Sequence, residues 1–300
     1  MPINIDENLP VQVYFIDLAK AYLRYIRWQW HDEMEVVIVN HGEADVMTDG
    51  KMFHLKPGQG IFINRGVLHS ILPYGDSANC SLYSLTFDPT YLLERGSLAA
   101  TYLEPIINAP ELKALFLEEA DPFGAEMLDL VNDVIAANSM KPYAYEIVMR
   151  TRLYQLWLLT LQMVAANADG APSAVSQDEV RVKEAIRYIE DNFAAPITLD
   201  SLAAAIFISK GECCRCFKRT IKMTPIEYVM RFRIYAAAKI ICENDADSLS
   251  ISDLAFSVGF NNVSYFNKTF KKYLDQTPTE YRNALKYETA AEGGAIVLMR

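Results

Sequence analysis

Four polar side chains that could bind a metal ion or an organic ligand cluster in the first quarter of the sequence. Gln29, His31 and Glu35 lie in "WQWHDEMEVVIVNHG", and His69 follows in "GQGIFINRGVLHS". Two histidines and one carboxylate can hold non-haem iron. The same side chains can form hydrogen bonds with ligand hydroxyl groups. The residue types therefore leave two kinds of site open, a metal centre and a small-molecule site.

Two tryptophans, Trp28 and Trp30, flank Gln29 in this segment. Either indole could stack on the face of a sugar, because ligand pockets combine aromatic walls with a few polar groups. The alternative is that one indole fills the core and the other covers it, with His31 exposed on a loop. The sequence does not decide between these interpretations.

The surrounding residues, about 10–88, indicate short β-strands. "EVVIV" is β-branched, and Asp49-Gly50 in the middle of "ADVMTDGKMFHL" is a strong signal for a two-residue hairpin turn. Further glycines follow in "LKPGQGIFINRG". Short strands at close spacing predict a small barrel or sandwich.

Residues from about 90 to 165 indicate helices, with two apolar stripes at helical spacing. One stripe contains Met127, Val131 and Val134. The other consists of Ile147, Thr151, Tyr154, Leu158 and Leu161. This apolar surface requires a partner, and both the β region and a second subunit remain possible.

The general properties of the 300-residue chain indicate a cytoplasmic protein of about two domains. The start shows no signal-peptide pattern, and the most apolar run is too short to span a membrane. Five cysteines, three of them in "CCRC", do not suggest a disulfide framework. The small and polar stretch "ANADGAPSAVSQ", residues 166–177, is the expected linker.

Charge is distributed unevenly along the chain, whose net charge is −10. Residues 178–285 hold 15 basic and 14 acidic residues, and the remainder holds 13 basic and 24 acidic residues. Residues 209–239 alone hold 8 basic and 2 acidic residues. A locally basic segment within an acidic chain is compatible with nucleic-acid binding, which the whole-chain charge would disfavour.

The pentapeptide "TPIEY" at Thr224 returns as "TPTEY" at Thr277, each time after a Phe-Lys pair. Each copy predicts a short helix, a tight turn, and a second helix that Ser209 or Asn262 caps. We expect Glu212 to complete a capping box with Ser209. The proline then begins a further helix, whose Thr cap has Glu three residues later. Helix, turn and capped helix form the helix-turn-helix pattern, whose second helix enters the major groove of DNA.

The outward positions of the two second helices are the candidates for DNA contact. Arg215 could donate to a guanine edge, and Asn267 could recognise adenine. Lysines and arginines nearby suit phosphates. Because Gly211 weakens the first of these helices, we expect its module to discriminate DNA less sharply. The full set is Lys210, Gly211, Cys214, Arg215, Lys218, Arg219, Asn262, Val263, Ser264, Asn267, Lys268, Lys271 and Lys272.

The cysteines of "CCRC" raise the alternative of a redox or metal switch. A structural zinc site usually needs four nitrogen or sulfur ligands, and no histidine lies in the C-terminal region. Cys213 and Cys216 are a helical turn apart on the predicted inward side, where a free cysteine packs as a small apolar residue. We therefore expect no metal site there.

Residues 180–285 resemble the tandem helix-turn-helix domain of AraC/XylS-type transcription regulators. "LAFSVGFNNVSYFNKTFKKYLDQTPTEYR" follows the second-module signature of that family, and the resemblance covers about a third of the chain. It implies double-stranded promoter DNA and RNA polymerase as partners, and a homodimer as the assembly.

The N-terminal segment resembles the two cupin motifs, in which three histidines and a glutamate hold a metal inside a β-barrel. His31, Glu35 and His69 match, but Gln29 replaces the first histidine and Asn64 replaces the usual proline. In AraC-type regulators such domains bind a small effector without turnover. The resemblance thus implies no enzymatic activity, no cofactor and no bound metal, with a carbohydrate or related metabolite as effector. The expected effector-binding residues are Trp28, Gln29, Trp30, His31, Glu35 and His69.

Together these features predict an α+β multidomain protein with a cupin-like β-barrel, following helices, and an all-α double helix-turn-helix. The expected segments are 1–90 for effector binding, 91–165 for dimerisation, 166–177 as linker, 178–286 for DNA binding, and 287–300 as a tail. The expected function is effector-controlled, sequence-specific regulation of transcription. The alternative is a metal-dependent cupin enzyme fused to a DNA-binding domain.

Overall fold

The computed structural model of the chain describes residues 11–21, 23–48, 50–75, 79–93, 96–107, 109, 112–166, 176–243 and 249–292. The chain forms two compact units. Of the described residues, 11–19 and 27–166 belong to the N-terminal unit, and 20–26 and 176–292 to the C-terminal unit. Most of the expected linker lies outside the described residues. No helix among the described residues is long and apolar enough to cross a membrane.

The N-terminal unit is built on nine strands within the described residues. They are β1 (Val11–Asp17), β2 (Ile26–Gln29), β3 (Met34–His41), β4 (Ala44–Thr48), β5 (Lys51–Leu55), β6 (Gly60–Ile63), β7 (His69–Pro73), β8 (Ser81–Phe87) and β9 (Ala114–Leu117). One sheet has the order β1-β8-β3-β6-β9, and the other has the order β2-β7-β4-β5. The strands thus form two separate sheets and not a closed barrel.

The predicted hairpin is present, because β4 and β5 pair antiparallel with Thr48 opposite Lys51. Asp49 itself lies outside the described residues. Strand β9 corrects the expectation that residues 90–165 are entirely helical. It pairs antiparallel with β6 along the edge of the five-stranded sheet, so a tertiary contact determines the conformation of "ALFL".

Besides a short 3-10 helix at Pro89–Tyr91, the described residues of this unit form four α-helices: α1 (Ser97–Tyr102), α2 (Glu104–Ile107), α3 (Pro122–Met140) and α4 (Tyr145–Ala166). Asp121 caps α3 by accepting a hydrogen bond from the Gly124 N–H, and Pro122 suits the first turn because its missing donor is not needed there. Helices α3 and α4 share a core with the five-stranded sheet, through residues such as Val36, Leu85 and Val131.

The two apolar stripes of these helices have different environments. Met127, Val131 and Val134 on α3 are buried, as packing against the sheet requires. On α4 the buried side chains include Met149, Leu153, Leu156 and Trp157. The stripe noted in the sequence is largely solvent-exposed, with Ile147 68% and Leu158 55% exposed.

The C-terminal unit consists of seven helices among the described residues. They are α5 (Gln177–Asn192), α6 (Leu199–Ala205), α7 (Lys210–Ile221), α8 (Pro225–Glu243), α9 (Ile251–Ser257), α10 (Val263–Leu274) and α11 (Pro278–Glu292). Helices α6–α7 and α9–α10 are the two helix-turn-helix pairs. The expected tail begins inside α11, and residues 293–300 are outside the described part.

The repeated pentapeptide caps the helix that follows each pair. The Thr224 N–H donates to Glu227 Oε2 at 2.8 Å, and the Glu227 N–H donates to Thr224 Oγ1 at 3.3 Å. Thr277 and Glu280 form the same reciprocal bonds at 2.7 and 3.3 Å. Each bond satisfies a donor that the first helical turn would otherwise leave unpaired.

Arg233 of α8 contacts both the segment after α5 and the turn of the second module. It is buried, and it donates through Nε to the Phe193 carbonyl at 2.9 Å and through Nη2 to the Ala195 carbonyl at 2.8 Å. Its guanidinium also lies 5.9 Å from the ring centre of Phe260, in the turn of the second module. This side chain therefore bonds the segment after α5 and contacts the α9–α10 turn.

Candidate nucleic-acid interface and effector site

The second helices of the two pairs, α7 and α10, are called the recognition helices below. Each begins at a side-chain cap and has 12 residues. The Glu212 N–H donates to Ser209 Oγ at 3.2 Å, and the Tyr265 N–H donates to Asn262 Oδ1 at 2.8 Å. The expected capping box at Ser209 is half formed. Glu212 directs its carboxylate to Arg215 and Arg219 instead of the start of its helix.

The inward and outward faces of α7 and α10 follow the repeat. Cys213, Cys216 and Phe217 are buried, as are their counterparts Phe266, Thr269 and Phe270. Every candidate DNA-binding residue lies on these helices or at the cap of α10, and none is fully buried. The exposed members are Lys210, Gly211, Arg215, Lys218, Arg219, Asn262, Ser264, Lys268, Lys271 and Lys272, and the half-buried members are Cys214, Val263 and Asn267.

Asn267 is less accessible than a base-contacting residue should be. Its Oδ1 is shielded from solvent and has no hydrogen-bond partner among the described residues. An adenine contact would use both the oxygen and the amide nitrogen. Rotation of this side chain out of its half-buried position is therefore needed before it can recognise a base.

Acidic residues surround the cations of α7. Lys210 Nζ lies 2.8 Å from Asp200 Oδ1, and Arg215 Nε lies 2.9 Å from Glu212 Oε2. Arg219 bonds Glu212 Oε1 through Nη2 at 3.0 Å and Asp178 Oδ2 through Nε. Hydrogen bonds from Arg219 and Arg215 hold the pKa values of Asp178 and Glu212, respectively, below their usual range.

The cysteines of α7 have the environment of packed side chains. Burial raises the pKa of Cys213 to about 12 and that of Cys216 to about 11. The Cys216 thiol donates to Asp178 Oδ1 at 3.1 Å. Asp178, Glu212 and Cys216 could together approach a metal ion, but arginine side chains already occupy both carboxylates.

The polar residues of the N-terminal unit form a compact group, which we call the Glu35 cluster: Gln29, His31, Glu35 and His69. Gln29 ends β2, Glu35 is the second residue of β3, and His69 begins β7. Glu35 Oε2 lies 3.2 Å from His31 Nε2 and 3.1 Å from His69 Nε2. The two sheets thus bring residues distant in sequence to one carboxylate oxygen.

Hydrogen bonds determine which imidazole nitrogens carry protons. His31 Nδ1 lies 3.0 Å from the Glu33 carbonyl, and His69 Nδ1 lies 2.8 Å from the Val67 carbonyl. A carbonyl only accepts, so both Nδ1 atoms are donors. Each Nε2 can then approach Glu35 favourably only if it is protonated or if a cation lies between them.

The charges of the cluster agree with these bonds. Burial would lower the pKa of His31, but its hydrogen bond to Glu35 and the charge of that group raise the pKa above the ordinary value. Burial would raise the pKa of Glu35, but hydrogen bonds from His31 and His69 hold it well below its usual range. Glu35 is therefore a buried, ionised carboxylate.

Three further side chains lie near the cluster. Residue types alone did not reveal them. Ser84 Oγ donates to Glu35 Oε1 at 2.5 Å. Burial, followed by the charges of Glu33 and Glu35, raises the pKa of Tyr14. Thr48 is 1% exposed, and its hydroxyl has no hydrogen-bond partner among the described residues. The period-2 alternation of their strands was the available signal, but it does not show which face points inward.

The donor set of the cluster fits a divalent metal ion as well as an organic ligand. One ligand atom from each of His31, Glu35 and His69 lies within 4.8 Å of the others. Two imidazoles and a carboxylate suit several transition metals, and carbonyl partners on both Nδ1 atoms orient the rings as in known metal sites. If a metal bound here, these three side chains would hold it and it would supply Lewis acidity.

The other residues of the cupin-like motif are at least half-buried, and one of them bonds to the backbone. Trp28 is 4% exposed, and Trp30 is half-buried. Asn64, which stands where the cupin motif has proline, is buried and donates through Nδ2 to the carbonyls of Ile106 and Leu112, both at 2.9 Å. Asn64 therefore anchors the segment leading to β9.

A segment of each unit matches a family of known proteins. Residues 11–120 match the family described as AraC-like ligand binding domain, and residues 202–284 match a helix-turn-helix domain. The uncharacterised HTH-type transcriptional regulator YdeC of Bacillus subtilis is 28% identical over 279 residues, covering 92% of each chain.

Two relatives are named for sugar operons. The melibiose operon regulatory protein of Escherichia coli is 20% identical and covers 84% of this chain and 82% of its own. The lactose operon transcription activator of Staphylococcus xylosus is 22% identical and covers 82% of each chain. With a matched ligand-binding domain, a matched helix-turn-helix domain and regulators as relatives along most of its length, the chain belongs to the AraC/XylS family of transcriptional regulators.

Proposed function

We propose that this regulator contacts two successive segments of promoter DNA with α7 and α10, and that an uncharged, hydroxyl-rich effector at the Glu35 cluster controls the binding. The observation that supports the DNA contacts is the repetition of a capped helix of 12 residues with a buried apolar face and an exposed basic face. As a regulator of promoters, the protein would act in the cytoplasm, without catalytic turnover.

The DNA contacts are tested with the full-length chain and a labelled duplex enriched from a randomised pool. Replacing Lys268 with Ala should weaken binding, because α10 loses an exposed cation. Replacing Lys239 of α8 with Ala removes the same charge outside both recognition helices and serves as the control. Equal affinities for the two variants would contradict the proposed interface.

The proposed effector class follows from the hydrogen-bonding groups of the cluster. The ionised Glu35 can bind only a hydrogen-bond donor of the ligand, which an ionised carboxylate or phosphate does not provide. A hydroxyl group can accept from an imidazole N–H and donate to a carboxylate. The Thr48 hydroxyl, which has no hydrogen-bond partner in the described part of the chain, offers a further hydrogen bond. The sugar operons in the names of two relatives support the same class.

The effector is tested by thermal unfolding of the full-length chain with neutral sugars and their matched sugar acids, such as galactose and galacturonate. Only neutral sugars should raise the melting temperature, and His69→Gln should abolish the rise. His54→Gln is the matched control, because His54 also contacts two carboxylates but lies on β5, outside the cluster. A shift that persists in His69→Gln would refute this site.

A metal-dependent enzyme is the second candidate, and the convergence of His31, Glu35 and His69 favours it. Elemental analysis of purified protein and calorimetric titration with Mn²⁺, Fe²⁺ and Zn²⁺ test it. One bound metal per chain, lost in Glu35→Gln and retained in His54→Gln, would support this candidate. Failure to bind any of the three ions would remove it.

We also propose a homodimer through the exposed stripe of α4. The exposed Ile147, Thr151, Tyr154 and Leu158 follow one side of the helix over about 16 Å. A second copy can present the same stripe across a two-fold axis, so one surface supplies both sides. Contact with RNA polymerase is a further expectation from the family, and transcription from a bound promoter in a purified system tests it.

The dimer is tested by sedimentation of two variants. Leu158→Glu places a charge in the stripe and should give a monomer. Met140→Glu introduces the same charge at a still more exposed residue at the end of α3 and should leave the dimer intact. A dimer in both variants would exclude this interface.

A further inference from the structure

The two recognition helices differ in how their cations are paired. On α7, Lys210, Arg215 and Arg219 each lie within ion-pair distance of a carboxylate. On α10, no ion pair within the described residues involves Lys268, Lys271 or Lys272. The first module thus carries the greater number of exposed cations but neutralises most of them within the chain.

Glu212 is the centre of this pairing. Its Oε2 accepts hydrogen bonds from Nε and Nη2 of Arg215, and its Oε1 accepts one from Arg219 at 3.0 Å. Arg181 of α5 lies 3.6 Å from the same Oε1.

The duplication provides an internal comparison for each acidic residue. Counting 53 residues onward places Tyr265 at the position of Glu212. Counting 52 residues onward places Met230 at the position of Asp178 and Ser252 at that of Asp200. This second offset is correct for α5 and α8, because it superimposes the buried sets Val182, Ala185, Ile189 and Ile234, Ala237, Ile241. All three carboxylates are therefore specific to the first module.

A guanidinium whose donors are bonded to a carboxylate cannot offer them to a phosphate without breaking those bonds. Glu212 also brings a negative charge to the face that DNA would approach. Both effects lower the number of counterions that the first module can release from DNA, and this number determines the salt dependence of binding.

We propose that Glu212, assisted by Asp178, restrains Arg215 and Arg219 and so sets a low affinity of the first module for DNA. This inference rests on the proposed contacts of α7 and α10 with DNA. The second module then supplies most of the electrostatic attraction. Glu212 acts through the arginines and is an affinity-determining residue that need not touch DNA.

The test measures the affinity of the full-length chain for the enriched duplex and for an arbitrary duplex of equal length at several salt concentrations. Glu212→Gln should tighten binding to both, roughly fivefold at 0.1 M salt for each phosphate contact recovered. The slope of log affinity against log salt should steepen by about one per contact. Weaker or unchanged binding would show that Glu212 aids DNA contact or is irrelevant to it, and either result overturns the proposal.

Two controls separate a local restraint from a change in total charge. Asp191→Asn removes one negative charge from the exposed far end of α5 and should change affinity little. Tyr265→Glu should impose the restraint on Lys268, three residues later, and weaken binding relative to Tyr265→Gln. A gain in Asp191→Asn equal to that in Glu212→Gln, or equal binding of both Tyr265 variants, would overturn the proposal. Normal binding by Lys268→Ala would instead indicate that the proposed interface itself is wrong.

Discussion

Thr48 lies directly opposite His69 in the antiparallel pairing of β4 with β7. Paired residues project from the same face of a sheet, so the Thr48 hydroxyl points to the side on which His69 approaches Glu35. The hydroxyl is buried without a partner among the described residues. A buried polar group without a hydrogen bond costs about 1–3 kcal/mol, and a ligand hydroxyl at the proposed effector site would remove that cost.

Thr48→Val should therefore stabilise the ligand-free protein by about 1 kcal/mol, because the unsatisfied hydroxyl is removed. The same change should weaken the effector found in the sugar panel. Chemical denaturation and effector titration measure the two effects. A variant that is less stable without ligand would show that the hydroxyl has a partner that this structure does not reveal.

The two modules should respond unequally to loss of corresponding cations. Lys268→Ala should weaken binding to the enriched duplex more than Arg215→Ala, because Arg215 is bonded to Glu212 whereas Lys268 has no ion-pair partner among the described residues. Fluorescence anisotropy at a fixed salt concentration compares the variants. Equal losses would contradict this ranking.

The turns of the two modules predict opposite effects at one position of the repeat. Phe207 has φ 54° and is 93% exposed, and Gly259, 52 residues later, has φ 88°. Left-handed conformations cost most residues about 1–2 kcal/mol, but not glycine. Phe207→Gly should thus raise stability by about 0.5–1 kcal/mol, since the exposed ring contributes little packing.

At Gly259 the added methyl group would have no space. A Cβ there would lie 2.5 Å from the Phe193 carbonyl oxygen and 3.0 Å from that of Ala194. Gly259→Ala should lower the free energy of unfolding by about 2 kcal/mol or more, because backbone must move. Denaturation of the full-length chain measures both variants, and a loss in Phe207→Gly would contradict the strain argument.

Alkaline pH should destabilise the C-terminal unit through its buried thiols. An unperturbed thiol has a pKa of 9.0, whereas burial raises the pKa of Cys213 to about 12. Between these values the unfolded chain loses the proton and the folded chain keeps it, so stability falls as pH rises through this window. Cys213→Ala should lose less stability than the parent chain between pH 8 and pH 10.5.

The same pKa values predict low thiol reactivity at pH 8, where both Cys213 and Cys216 are protonated. A maleimide reagent should modify them only on unfolding, as mass spectrometry of digested protein would reveal. Rapid modification of either residue in the folded chain would revive the redox switch considered from "CCRC".

The DNA-binding part could be predicted from sequence because its signals are local. Caps at Ser209 and Asn262, the Thr-Pro starts of α8 and α11, and the inward stripes all depend on residues within a few positions of one another. The hydrogen-bond partner of the Glu212 carboxylate was predicted wrongly because the prediction used only local signals. A local rule assigned it to a cap, but neighbouring arginines offered its carboxylate stronger, charged partners.

The effector domain was harder to predict because its features depend on pairing between distant strands. "ALFL" is too short to separate a strand from a helix by periodicity, and β6 determines the outcome. Ser84 reaches Glu35 from the neighbouring strand β8, where it lies opposite Val37, and Tyr14 lies opposite Ser84 on β1, so strand pairing alone brings them to the cluster. The motif residues themselves were recognisable because His31, Glu35 and His69 have the spacing of the corresponding residues in the cupin motifs.

Arg233 has a consequence for how a promoter must be built. Arg233 joins the carbonyls after α5 to the helix that leads into the second module. We therefore expect α7 and α10 to keep a fixed distance and orientation relative to each other. Each base pair inserted between the two DNA segments rotates one by about 35° relative to the other. The promoter should therefore tolerate base substitutions between its two contacted segments, but not the insertion or deletion of a base pair there.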